Sequence, residues 1–408
     1  MKCRHCGNEL KTLFLDLGHA PASNDYLLAN ELMQSEIYNP LRLFVCEECW
    51  LVQTDDYKKA EDLFKRDYAY FSSTSQSWLR HAADYCDMIE SRLDLSASSF
   101  VIEVASNDGY LLKNFVAKGI PCLGIEPTDS TADAAKKLGV PVLRQFFGAE
   151  TARALVAEGK AADLVCGNNV YAHVPDINDF TAGLEIVLKP GGTVTLEFPH
   201  LMRLIENSQF DTVYHEHFSY LSLHAVASIF GRAGLRVLDV EECPTHGGSL
   251  RVYGCRVHGV RPASPRVAEL LAREEAFGLR KLETYKGFQD KANAIKNDFL
   301  AFLLEQKKNG KSVAAYGAAA KGNTLINYAG LKTDLIDFVC DAAPSKQGKF
   351  LPGSHIPILH PDELARRKPD WVVILPWNIA AEVAESQAVV RNWGGRFVVA
   401  VPQLTLLP

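Results

Sequence analysis

Ser99-Phe100-Val101-Ile102-Glu103-Val104-Ala105-Ser106-Asn107-Asp108-Gly109-Tyr110-Leu111-Leu112 reads as a buried strand, a glycine-containing turn and the start of a helix. Short apolar runs of this kind recur downstream. They are Cys122-Leu123-Gly124-Ile125-Glu126, Asp163-Leu164-Val165-Cys166-Gly167-Asn168 and Thr193-Val194-Thr195-Leu196-Glu197-Phe198. Leu188-Lys189-Pro190-Gly191-Gly192, before the last run, reads as a helix stop and turn. Amphipathic segments separate the runs, and such alternation predicts an α/β fold with a parallel, doubly wound sheet. Ligands of such a sheet bind at the carboxyl ends of its strands. Leu235–Val240 and Ser249–Tyr253 read as an antiparallel pair closing the sheet, joined by Pro244-Thr245-His246-Gly247-Gly248. A helix from about Ser222 to Arg232 precedes that pair.

Two cofactors compete for the strand ends. A dinucleotide wants Gly-x-Gly-x-x-Gly, so that backbone amides approach its pyrophosphate. The turn after Val104 offers Glu103-x-Ala105-x-x-Asp108-Gly109 instead, rich in acid and holding one glycine. S-adenosylmethionine has no phosphate and carries a cationic sulfonium, so it favours acids. Glu126 stands at the end of the next strand, about one βαβ step on, where an acid takes ribose hydroxyls. A solvated strand-end carboxylate is the plain alternative for Glu126 alone, and the set together argues against it.

The totals constrain the rest. A chain of 408 residues is too long for one core and predicts two or three domains. The formal charge of -6 argues against a bulk nucleic-acid or anionic-membrane binder. No segment approaches the roughly 20 apolar residues of a transmembrane helix. Met1-Lys2-Cys3-Arg4-His5-Cys6 lacks the apolar core of a signal peptide, so a cytoplasmic location is expected. Four of the ten cysteines form two pairs, Cys3-x-x-Cys6 and Cys46-x-x-Cys49. Paired thiolates on two tight turns predict a tetrahedral zinc site, with all four positions filled and so structural. A DNA-binding zinc finger competes, but the segment shows no concentrated Lys/Arg face. The aromatics around Tyr68 and Tyr70 precede a helix expected from about Trp78 to Leu93; they pack between domains or cap a cavity.

Ser264-Pro265 opens a long helical region, a cap followed by proline at the first helical position. Phe288, Ala292, Ile295, Phe299 and Leu303 fall on one stripe there, a packing surface. A second α/β unit begins near Lys311, with strands expected over Val313–Tyr316, Leu335–Asp341 and Trp371–Leu375. After its first strand, Gly317-Ala318-Ala319-Ala320-Lys321-Gly322 lets backbone amides approach an anion, and Lys321 adds a point charge. Tight strand–helix packing is the plain reading of the same glycines. The expected domains are 1–75, 76–260, 261–308 and 309–408. The densest chemistry lies in Tyr214-His215-Glu216-His217-Phe218-Ser219-Tyr220, where imidazoles, a carboxylate and phenols suit proton transfer near neutral pH.

Together these residues resemble the sugar C-methyltransferases that act on nucleotide-linked 4-keto-deoxysugars, and closest the C-3′ methyltransferases of branched deoxysugar biosynthesis. The resemblance spans essentially the whole chain. It rests on the four cysteines, Glu103 to Gly109, Asn169-x-x-Ala172-His173-Val174-Pro175-Asp176 and Phe198-Pro199-His200. Tyr214-x-Glu216-His217, His246-Gly247-Gly248-Ser249-Leu250-Arg251 and Gly317-x-x-x-Lys321-Gly322 complete it. Ala105 departs from the usual glycine. The resemblance implies a class I methyltransferase sheet between a small zinc-binding domain and a Rossmann-like C-terminal domain. It implies S-adenosylmethionine bound by Glu103, Ala105, Asn107, Asp108, Gly109, Glu126, Asn168 and Asn169, and structural zinc on Cys3, Cys6, Cys46 and Cys49. It implies His217 as base, with Glu216 orienting it or binding sugar hydroxyls and Tyr214 donating to an enolate oxygen. His173 is a second candidate base, and Tyr68 or Tyr70 closes over the site. The substrate, a dTDP-linked keto-deoxysugar, would meet Tyr70, His200, His246, Lys321 and Asn378. His215 and Tyr220 match no functional position. No nucleic-acid or membrane partner is expected, and a monomer is. An O- or N-methyltransferase and a non-catalytic zinc protein are the competing readings.

Overall fold

The structure, a computed structural model, describes residues 1–57, 63 and 70–407. Its central layer is a seven-stranded sheet of β1 (Val101–Val104), β2 (Cys122–Ile125), β3 (Val142–Leu143), β4 (Ala162–Asn168), β5 (Leu188–Pro199), β6 (Leu235–Cys243) and β7 (Ser249–Arg256). The strand order is β6-β7-β5-β4-β1-β2-β3. β1 to β5 run parallel, and β7 is antiparallel to both its neighbours. All four residues of β1 are buried, as a strand covered on both faces requires. With its one reversed strand between two others at the edge, this is the class I methyltransferase sheet that the resemblance implies. The segment read as a helix stop and turn is half that. The helix Ile177–Val187 stops, but the strand begins at once, and Pro190–Gly192 bulges between the Ala162–Leu188 and Leu164–Thr193 pairs.

The N-terminal unit is a four-stranded antiparallel sheet of Thr12–Ala20, Asn39–Val45, Val52–Thr54 and, from far along the chain, Ser219–Tyr220. Its cysteine pairs sit on two matching turns. Gly7 N–H bonds the Cys3 carbonyl and Trp50 N–H the Cys46 carbonyl, each at 2.9 Å, and both Gly7 and Trp50 take positive φ. The four sulfurs lie within 4.8 Å of one another. That donor set fits one tetrahedral zinc with no ligand position left for substrate.

The C-terminal unit is a six-stranded sheet in the order Ile358–Leu359, Val339–Cys340, Val313–Tyr316, Trp371–Ile374, Arg396–Val399 and Thr405–Leu407; only the last strand is antiparallel. The strand expected over Leu335–Asp341 shortens to Val339–Cys340, because a turn claims its first half: the Leu335 and Ile336 amides bond the Lys332 carbonyl. Helices Pro265–Phe277 and Phe288–Lys308 connect the central and C-terminal units. The stripe Phe288, Ala292, Ile295, Phe299 and Leu303 is buried. Phe288 meets Phe14 of the N-terminal sheet at 4.9 Å, and Phe302 meets Trp371 of the C-terminal sheet at 5.2 Å. The connector thus packs on both. Among the described residues no helix is long and apolar enough to cross a membrane.

Candidate active site

One cavity of about 1290 Å³ runs from the carboxyl ends of β1, β2 and β4 to the loop at Gly317. Ala105, Asn107, Glu126, Asn168 and Asn169 line one end; His173, Tyr214, His217 and His246 line the middle; Lys321 and Asn378 line the far end. Tyr70 also lines it, whereas Tyr68 lies outside the described residues.

The first end is shaped by the turn after β1. Ala105 and Asn107 take φ of 56° and 48°, the left-handed region. That costs an alanine roughly 1–2 kcal/mol that glycine escapes, so the departure at Ala105 carries strain where a ligand approaches. The turn aims Asn107 N–H at Glu126 Oε2, at 3.0 Å. Glu126 Oε1 accepts from Thr128 N–H at 2.9 Å and from its hydroxyl at 2.5 Å. Asn107 Oδ1 and Asp108 Oδ2 accept from the Ser72 and Ser73 amides, at 2.9 and 3.0 Å, tying the chain before helix Gln76–Leu93 over the turn. Glu103, Asp108 and Gly109 lie behind the lining. Glu103 is buried, and neither of its carboxylate oxygens has a partner among the described residues. Burial, then Asp108 and Glu126, push its carboxyl well above the usual range. Asp108 Oδ1 and Asn168 Nδ2 are likewise buried without partners among those residues. Such a donor and acceptor set fits a cationic, hydroxyl-bearing ligand such as S-adenosylmethionine. Gly109 serves packing: an added Cβ would meet Ala135 at 3.1 Å.

The middle holds a cluster of neutral imidazoles. His217 Nδ1 lies 2.9 Å from the Thr212 carbonyl, which can only accept, so Nδ1 carries the proton. Its Nε2 keeps a lone pair, which takes the Tyr214 O–H at 2.8 Å. His173 repeats the arrangement, with Nδ1 donating to the Glu216 carbonyl at 2.7 Å. The two rings are 4.5 Å apart. Asn169 Nδ2 donates to His246 Nε2 at 2.7 Å. Burial holds His217 well below the ordinary imidazole value, and His173, His246 and Lys321 lower it further. Burial likewise brings His173 and His246 down to about 4.

Lys321 dominates the far end. Its Nζ meets Asn378 Oδ1 at 2.6 Å and lies 4.7 Å from the centre of the Trp377 ring. Burial lowers its pKa. The neighbouring glycines answer to packing, as an added Cβ would meet Pro376 Cδ at 2.4 Å from Gly317 and Leu375 Cβ at 2.6 Å from Gly322.

Two residues expected at the catalytic and substrate positions are placed elsewhere. His200 is buried, and its Nε2 donates to Glu274 Oε1 at 2.7 Å. Glu274 also accepts from the Leu223 and His224 amides, at 2.7 and 2.9 Å, so the pair caps helix Leu223–Arg232 and does not reach the cavity. Glu216 lies behind the lining, its Oε1 accepting from Asn24 N–H at 3.2 Å. The group orienting His217 is the Thr212 carbonyl, a backbone atom that no side chain announces. His215 bonds the Pro40 carbonyl at 3.1 Å and Tyr220 sits in the N-terminal sheet, both packing positions. Sequence reading missed Asp211, fully buried beside Thr212. Its Oδ2 accepts from Trp377 Nε1 at 2.7 Å, and burial pushes its carboxyl up to about 6. It also missed His81 and Thr245 on the cavity wall, which with Arg251 hold the buried Glu197 at 2.8–2.9 Å.

Three consecutive segments match known families: residues 3–64 a putative zinc binding domain, 77–240 a methyltransferase domain, and 244–402 a C-methyltransferase C-terminal domain. The chain is 34% identical over 402 residues to the C-methyltransferase NovU of Streptomyces niveus, covering 98% of this chain and 96% of that protein. A stretch of 98 residues is 32% identical to an uncharacterized methyltransferase of Mycobacterium leprae, covering 24% of this chain and 36% of that protein. Among solved structures, magnesium protoporphyrin IX methyltransferase from Synechocystis PCC 6803 with bound SAM is 13% identical. It covers 45% of this chain and 80% of its own, with a TM-score of 0.33.

Proposed function

The chain belongs to the C-methyltransferase family, as an S-adenosylmethionine-dependent enzyme with a structural zinc domain, and we propose that it methylates C-3′ of a dTDP-linked 4-keto-6-deoxysugar in branched deoxysugar biosynthesis. One observation carries this reading: a neutral imidazole whose Nε2 lone pair accepts from a phenol faces a cavity that reaches both the acid-rich cofactor end and a buried lysine.

Methyl transfer to carbon needs a carbanion-like nucleophile. A carbon beside a ketone provides one, because its enolate spreads charge onto oxygen. His217 Nε2 takes the C-3′ proton while its Nδ1–H stays on the Thr212 carbonyl. Tyr214, which donates to that same Nε2, is released by proton uptake there to donate to the enolate oxygen. His173, with a similarly held ring, is the second base candidate in the same wall. Bound S-adenosylmethionine supplies the electrophilic methyl group. Lys321 and Asn378 receive the pyrophosphate. Its negative charge offsets the Lys321 field, a lesser cause beside burial of the lowered His217 pKa, and so favours the imidazolium formed when Nε2 takes the proton. His246 and Tyr70 line the sugar's path.

Mapping the methyl of the product by carbon NMR tests this reading. A new quaternary or tertiary carbon at C-3′ is the expected result; a methyl on oxygen or nitrogen would refute it.

A further inference from the structure

The segment between the two cysteine pairs leaves the N-terminal sheet after Ala20 and crosses to the C-terminal unit before returning at Asn39. Its contacts there are specific. The Ser23 hydroxyl lies 3.4 Å from that of Thr324, and Tyr26 O–H donates to the Ala318 carbonyl at 2.6 Å. Leu27 exchanges two backbone hydrogen bonds with Phe350, at 3.0 and 2.9 Å. Further on, the Glu36 carboxylate accepts from Gly353 N–H at 2.8 Å.

Between these anchors sits Asn24. Its backbone N–H is held by Glu216, one residue before His217, and its side chain lines the cavity shared by His217 and Lys321. The backbone is thus clamped by the loop of the proposed base on one side and by the Gly317 loop, through Tyr26, on the other. The carboxamide itself is nearly uncommitted. Oδ1 has a 3.3 Å contact with the Tyr26 hydroxyl, whose proton is already directed at Ala318. Among the described residues, no hydrogen-bond acceptor meets Nδ2.

We infer that Asn24 reads the sugar ring: its carboxamide hydrogen-bonds a sugar hydroxyl lying between the carbon at His217 and the pyrophosphate at Lys321. The inference rests on the functional reading above. A carboxamide offers a donor and an acceptor side by side, which matches a hydroxyl that both gives and receives. It is neutral, so it does not oppose the charge of a diphosphate. The module that carries the cysteines thereby contributes a specificity residue to the pocket, and Glu216 acts by positioning that residue.

The test is calorimetry on the zinc-loaded full chain carrying Asn24→Ala, titrated separately with S-adenosylmethionine, dTDP and the dTDP-linked keto-sugar. Losing one hydrogen bond weakens the keto-sugar about two- to twelvefold. The other two ligands stay within about twofold, because the backbone N–H to Glu216 survives the substitution. Unchanged keto-sugar affinity overturns the inference, and so does an equal loss for all three ligands, which marks a folding role. A wild-type chain that binds no keto-sugar refutes the functional reading and this inference with it; wild-type binding with an indifferent variant refutes the inference alone.

Discussion

Tyr214→Phe separates the chemistry of the site from its architecture. The ring contact with His217, at 4.0 Å between centroids, survives the change. What disappears is one O–H donor, now 2.8 Å from Nε2. The fold loses the neutral hydrogen bond to Nε2, about 0.5–1.5 kcal/mol, and less where cavity water replaces it. The reaction loses more. A donor aimed at a developing oxyanion contributes about 2.7–4 kcal/mol in a dry site, or roughly 10²–10³ in kcat. The variant therefore keeps its KM and its thermal midpoint nearly unchanged while kcat falls by that factor. Enolate formation precedes methyl transfer, so proton exchange at C-3′ slows in parallel. The assay is initial-rate methyl transfer at saturating nucleotide sugar, with exchange followed by proton NMR. A kcat within about threefold of the wild type, or a defect confined to KM, would refute the role given to this phenol.

Zinc removal by a chelator, or Cys49→Ser, loosens the sheet in which Val52–Thr54 pairs with Ser219–Tyr220, so methyl transfer is lost. Calorimetric affinity for S-adenosylmethionine stays within about threefold, under 1 kcal/mol, since the cofactor end is built from the central sheet. Acid stability follows from His173 and His246, both held down to about 4 by burial. Between roughly pH 4 and 6.5 these two imidazoles bind fewer protons in the folded chain than in the unfolded one. Their share of the stability is therefore full above about pH 6.5 and is lost as the pH drops towards 4. The loss is on the order of 2 kcal/mol per imidazole once partial exposure is discounted. Urea unfolding at pH 7.5 and pH 5 measures it; His246→Gln removes one imidazole's share of the difference.

Much of this was legible in local sequence. The run Val101–Val104 with its acid-rich turn, Glu126 one βαβ step on, and the twin cysteine pairs each signal their role through nearby residues. The antiparallel closing pair is equally local. The illegible parts depend on distant partners. Nothing around His200 announces Glu274, which makes it a buried cap partner. Nothing near Glu216 announces Asn24, and the acceptor that orients His217 is a backbone carbonyl. The pairing of Ser219–Tyr220 with Val52 and Gln53 joins residues far apart in sequence, as does the Asp211–Trp377 bond. Glycine at Gly317 and Gly322 looked like phosphate chemistry, yet packing against Pro376 and Leu375 accounts for both, leaving Lys321 and Asn378 to carry the charge and polarity there.

Enolate formation at His217 is tested most directly without any methyl donor. The 4-keto nucleotide sugar is incubated with enzyme in deuterated water, and C-3′ is followed by NMR. The wild type should exchange its C-3′ hydrogen, while His217→Asn should neither exchange nor methylate. Absence of exchange in the wild type, together with methylation that persists in His217→Asn, would contradict the assignment of this imidazole as the base.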